Sequence, residues 1–142
     1  RAGAWPAVVD AGACAGTDCV LVYHSDVSWY GGLGATVAAG DVNGDGYDDV
    51  VLGGYRSRPG HESGNWRNEQ GVVYAVFGRA SFGAGTFDLN GVDGTTGFRL
   101  VSSFNFSAGT GARLGEEVEA VDLNGDGIDD IATSAFYENA VY

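Results

Sequence analysis

Asp41-Val42-Asn43-Gly44-Asp45-Gly46-Tyr47-Asp48-Asp49 returns 81 residues later as Asp122-Leu123-Asn124-Gly125-Asp126-Gly127-Ile128-Asp129-Asp130. Both stretches put oxygen side chains at loop positions 1, 3, 5 and 9 and a glycine at position 6, as a hard cation requires when one short loop wraps it. The glycine lets the chain curl into positive φ and turn a backbone carbonyl inward. The expected calcium ligands are therefore Asp41, Asn43, Asp45, the Tyr47 carbonyl and Asp49 in the first loop. In the second they are Asp122, Asn124, Asp126, the Ile128 carbonyl and Asp130. Asp48 and Asp129 are expected to point outward. Magnesium suits such loops less well, because it demands near-ideal octahedral geometry and keeps its waters.

Position 12 separates the loops that open this way. An EF-hand or a dockerin loop carries a carboxylate there, whereas this chain has Leu52 and Thr133. Short apolar runs follow instead, Val50-Val51-Leu52 and Ile131-Ala132-Thr133, rich in β-branched residues, so the loops are expected to join strands. The bland alternative is a metal-free polar turn, since Asn-Gly and Asp-Gly are ordinary hairpin turns. Two copies in equivalent contexts weaken that alternative.

The chain has 142 residues, 44% of them apolar, which suits one domain with a core rather than an acidic disordered tail. Its net charge is −12, and eight of its carboxylates lie in the two loops. Two bound calcium ions would leave about −8. The seven basic residues are all arginine and are scattered, which argues against a nucleic-acid partner. The 25 glycines and two prolines fit an all-β protein of many tight turns. No stretch is long enough for a membrane span, and no signal peptide is evident. A start at Arg1 rather than methionine suggests a processed or partial product.

Cys14 and Cys19 enclose only four residues in a chain without other cysteines. A small local disulfide in an oxidising compartment is expected, with two buried thiols as the alternative. Neither His24 nor His61 stands at zinc-ligand spacing from the pair. Weak calcium sites fill where calcium is millimolar, so both features suggest an extracellular, cell-surface or periplasmic setting. Asn105-Phe106-Ser107 is a formal glycosylation sequon, a pattern short enough to arise by chance.

The repeat extends beyond the loops. Leu33-Gly34 aligns with Leu114-Gly115, each eight residues before its first ligand, and Gly71-Val72-Val73-Tyr74 has a counterpart in Asn139-Ala140-Val141-Tyr142. Repetition at tens of residues is the sequence sign of a propeller or solenoid. Four strands are expected in one unit, near 35–40, 49–54, 71–77 and 97–102, which makes one blade. Leu33-Gly34, the acidic loop, the strand ending in Phe77-Gly78 and the segment Phe87 to Leu100 together resemble the FG-GAP repeat family of integrin α-subunits and bacterial secreted proteins. Gly53-Gly54-Tyr55 and Ser134-Ala135-Phe136 depart from the family's "GAP" half.

The resemblance implies an all-β fold of four-stranded antiparallel β-propeller blades, with a calcium loop between the first two strands of each. It divides the chain into an N-terminal segment at 1–18, an outer strand of a preceding blade within 19–30, a first blade at 31–112 and part of a second at 113–142. Such a partial propeller of about two blades is expected to be a fragment, or to be completed by further blades or partner chains. Family resemblance also implies binding, of a protein or glycan in an adhesion-type role, rather than catalysis. The alternatives are a structural subunit of a surface or membrane-associated assembly, or the non-catalytic propeller of a secreted hydrolase.

Catalytic groupings are weak. Ser28 with His24 and Asp26, and Ser57 with His61 and Glu62, are merely near in sequence, and no nucleophile elbow is present. Glu116, Glu117 and Glu119 fit a solvated strand face better than a glycosidase pair. The loop from Tyr55 to Gln70 gathers Arg56, Arg58, His61, Trp66 and Arg67, basic and aromatic residues that anchor interfaces, and is the expected contact surface. Trp29 and Tyr30 are expected in core or interblade packing.

Overall fold

The computed structural model describes residues 19–24, 31–57, 70–82, 85–102 and 111–135. Eight strands follow in chain order: β1 Leu21–Tyr23, β2 Thr36–Gly40, β3 Asp49–Gly53, β4 Val72–Val76, β5 Thr86–Asp88, β6 Gly97–Val101, β7 Val118–Val121 and β8 Asp130–Thr133. A 3-10 turn, Leu89–Gly91, follows β5. Among the described residues there is no α-helix, and no helix long and apolar enough to cross a membrane.

The first blade is a four-stranded antiparallel sheet in the order β2-β3-β4-β6. Its strands fall where the apolar runs place them. The register pairs Ala38 with Val51, Leu52 with Tyr74 and Val73 with Leu100. The whole of β4 is buried, so both its faces carry apolar side chains and the run reads without alternation.

Alternation divides those side chains between two cores. On one face Leu52, Val72, Tyr74 and Val76 pack with Leu89, and Val22, Phe82 and Phe87 cover them. On the other, Val51 and Val73 pack with Val118, joined by Ala38, Leu100, Ala120 and Ile131. The second core thus lies between the first blade and the hairpin β7–β8. Full burial of the valines and leucines among them contributes about 1.5–3 kcal/mol each.

The hairpin β7–β8 repeats β2–β3. Gly34 donates its N–H to the Gly53 carbonyl at 2.9 Å, and 81 residues on Gly115 donates to the Ser134 carbonyl at 3.0 Å. The strand expected within 19–30 is present as β1, and it pairs in parallel with β5, Val22 opposite Phe87. Neither β5 nor that pairing was expected from the sequence. The counterpart of the third strand, Asn139 to Tyr142, lies outside the described residues, as do Trp29 and Tyr30.

Candidate functional site

Each acidic loop is the turn of a β-hairpin, joining β2 to β3 and β7 to β8. In the first, Asp41 Oδ1 accepts the N–H groups of Gly44 at 2.8 Å and Asp45 at 3.0 Å, and Oδ2 accepts that of Gly46 at 2.8 Å. Asn43 Oδ1 accepts from Asp45 N–H and Asp45 Oδ1 from Tyr47 N–H, both at 2.9 Å. The second loop repeats the set: Asp122 accepts from Gly125, Asp126 and Gly127, Asn124 from Asp126, and Asp126 from Ile128. Short acceptor side chains thus satisfy the backbone donors of the turn, which explains Asp and Asn at positions 1, 3 and 5. Gly46 and Gly127 sit at φ +88° in both copies, where a side chain would be strained.

The ninth residue ties the loop to the sheet. Asp49 is fully buried, accepting the Val42 N–H at 2.9 Å and the Gly78 N–H at 2.7 Å. Burial pushes its carboxyl above the usual range, the two N–H donors pull the other way, and the negative charges of Asp45 and Asp41 push it up further. Asp122 moves oppositely, held below the usual range chiefly by the Gly127 N–H. Gly78 lies so close that a Cβ would collide with the Asp48 carbonyl and stand 2.9 Å from Tyr47 Cβ. The glycine of the Phe77-Gly78 pair is there because the β4 end must touch the loop.

The donor set fits a hard cation: three carboxylates, an amide oxygen and an inward-curling loop, with Asp41 and Asp45 near enough to Asp49 to repel it. Among the described residues, however, no three His, Cys, Asp or Glu side chains are gathered as closely as a bound ion would draw them. The oxygens instead face backbone N–H groups, and the Asn43 amide donates to Asp45 Oδ2 at 2.9 Å.

Asp129 corrects an expectation. Rather than pointing to solvent, its Oδ2 accepts the Asp41 N–H at 3.0 Å, and its own N–H donates to the Asp41 carbonyl at 2.9 Å. The two loops are joined directly. Three further links run along the same joint: Thr36 Oγ1 donates to the Gly115 carbonyl at 3.0 Å, Leu114 N–H donates to the Gln70 carbonyl at 3.0 Å, and Ile128 packs on Gly44. Asp48, the counterpart of Asp129, is exposed as expected. The repetition of an aspartate at position 8 was the available signal.

The remaining candidates are dispersed. Arg56 is exposed with its guanidinium 5.3 Å from the Tyr55 ring centroid, whereas Arg58, His61, Trp66 and Arg67 lie outside the described residues. Cys19 is described and Cys14 is not, so their pairing falls outside as well, as does the sequon. His24 is buried with its ring 6.2 Å from that of Tyr74, while Asp26 and Ser28 lie outside. Ser57 is buried, and His61 and Glu62 lie outside. Glu117 and Glu119 are exposed.

A four-stranded antiparallel sheet, packed face to face on a second hairpin of the same design, is the construction of a β-propeller module. The family model of the FG-GAP repeat matches residues 33–76. The match takes in Leu33-Gly34, the first loop and the strand up to Val76, just short of Phe77-Gly78. No curated protein matches the chain.

Proposed function

We propose that the chain is a calcium-stapled part of an extracellular, cell-surface or periplasmic interaction propeller that binds a protein or glycan and catalyses nothing. The observation that carries the reading is the twin loop. Each closes a hairpin with acidic or amide oxygens at positions 1, 3, 5 and 9, and the first holds a buried carboxylate, Asp49, against the charges of Asp41 and Asp45. A cation there offsets that repulsion and fixes the hairpin end, which is a structural role. With a dissociation constant of about 10⁻⁴ M and roughly millimolar calcium, each site stabilises the fold by about 1.5 kcal/mol.

Recognition is then left to the surface, and the loop from Tyr55 to Gln70, with exposed Arg56 at its start, is the proposed contact. The Cys14–Cys19 disulfide belongs to the same extracellular reading. Adding EDTA to protein held in 1 mM calcium, in excess over it, is expected to lower Tm by at least about 5 °C, read by circular dichroism, with recovery on restoring calcium. An unchanged Tm removes the calcium reading.

A further inference from the structure

The pair Asn-Gly occurs three times, at Asn43-Gly44, Asn90-Gly91 and Asn124-Gly125. Asparagine is chemically labile, and a following glycine exposes it most, because without a Cβ its backbone nitrogen can approach the side-chain amide carbon. Two of the three pairs are restrained. In the acidic loops the Gly44 N–H donates to Asp41 Oδ1 at 2.8 Å and the Gly125 N–H to Asp122 Oδ1 at 2.6 Å, so each nitrogen is engaged by a carboxylate, the stronger kind of acceptor. The side chains are tied as well. Asn43 Oδ1 accepts the Asp45 N–H and Asn124 Oδ1 the Asp126 N–H, both at 2.9 Å, and the Asn43 amide donates to Asp45 Oδ2.

Asn90-Gly91 lacks these restraints. Exposure alone does not set it apart, since Gly44 and Gly125 are exposed as Gly91 is. The difference lies in hydrogen bonding. Among the described residues the Asn90 side chain makes no hydrogen bond, and its backbone N–H is held by Asp88 Oδ1 at 3.0 Å. A Cβ at Gly91 would meet nothing within 4 Å, so the turn has room to rearrange. The Gly91 N–H belongs to a single 3-10 turn, Leu89–Gly91, a form whose hydrogen bonds are poorly aligned.

We infer that Asn90-Gly91 is a site of spontaneous deamidation through a succinimide, and that the carboxylates of Asp41 and Asp122 withhold the same reaction from the two loop pairs. The Gly91 nitrogen bonds to Asn90 Cγ, the Cγ–Nδ2 bond breaks, and the nitrogen's proton leaves with the amine as ammonia. Water then opens the ring at either carbonyl, giving aspartate or isoaspartate. Isoaspartate adds one methylene to the backbone between Leu89, buried in the first core, and Val92, packed against it. Either product adds a negative charge to a chain already at −12. The turn after β5 is thus where the age of the chain is written into its core. This inference goes beyond the propeller reading and is independent of calcium.

The test ages the full chain in mildly alkaline, calcium-free buffer, once native and once in urea. Trypsin places the three pairs in separate peptides, 2–56, 80–99 and 114–142, and mass spectrometry follows the conversion of amide to acid in each. Labelling by an isoaspartate methyltransferase identifies the isomerised product. In the native chain Asn90 is expected to convert at least about tenfold faster than Asn43 or Asn124, the factor that one hydrogen bond supplies. In urea the three rates should converge, since the reacting pair is the same. Asp122→Ala frees the Gly125 N–H and is expected to speed Asn124 about tenfold, while Asn90 at its native rate reports that the first blade persists. If that variant unfolds, the native and urea rates decide alone. Equal rates in the native chain, a difference that survives urea, or an unmoved Asn124 in the folded variant overturns the proposal.

Discussion

The two acidic loops share their ligand pattern, their backbone hydrogen bonds and their positive-φ glycines, yet they differ at the ninth residue. Asp49 is fully buried and accepts two N–H groups, one from its own loop and one from Gly78. Asp130 is half-buried and accepts the Leu123 N–H at 3.1 Å. The loop is thus a local structure that nine residues specify alone, whereas the burial of its last carboxylate is conferred by a third strand.

The largest test of that contrast is Gly78→Val. Its side chain would displace the β4 end from the Asp48 carbonyl, and a loss of about 3 kcal/mol is expected in urea denaturation, as overpacking of a tight contact gives. A loss below about 0.5 kcal/mol would mean that β4 does not press on the loop. Next, Asp49→Ala leaves two N–H groups without their acceptor and is expected to cost about 2 kcal/mol in calcium-free buffer, against about 1 kcal/mol or less for Asp130→Ala. Equal losses would erase the distinction between the loops.

Asp129→Ala is expected to cost about 1 kcal/mol and to speed exchange of the Asp41 amide. Unchanged exchange would break the link between the two hairpins. The smallest effect lies away from both loops, at Asp93, whose carboxylate accepts from Thr95 and Thr96. The Thr95 hydroxyl foremost, with the neighbouring N–H groups, lowers its pKa to about 2. Its contribution is therefore complete above the unfolded value of about 3.8 and fades as pH falls through about 2. Asp93→Ala should flatten that part of an acid-unfolding curve, and an unchanged curve would show that the carboxylate contributes nothing there.

Most of the blade was legible in the sequence. The strands at Thr36–Gly40, Asp49–Gly53, Val72–Val76 and Gly97–Val101 lie within two residues of the expected positions, because β-branched runs bounded by Gly and Asp punctuate the chain clearly. Strand β5 was missed. Thr86–Asp88 is three residues long, and its partner β1 is more than 60 residues earlier, a pairing that no local period announces. Gly78 was seen as part of a family pattern, but its reason, contact with the Asp48 carbonyl, exists only in space. Asp129 was misjudged for a related cause. Polarity alone sends an aspartate to water, whereas here a backbone N–H from another hairpin waits at hydrogen-bonding distance.

Asp41 uses its carboxylate to order its own turn and its backbone to hold the next hairpin. In repeat proteins stability is approximately a sum of unit terms and nearest-neighbour terms. Here one residue enters both. Loosening the first turn therefore weakens the coupling to its neighbour at the same stroke, so order spreads, and fails, from one hairpin to the next.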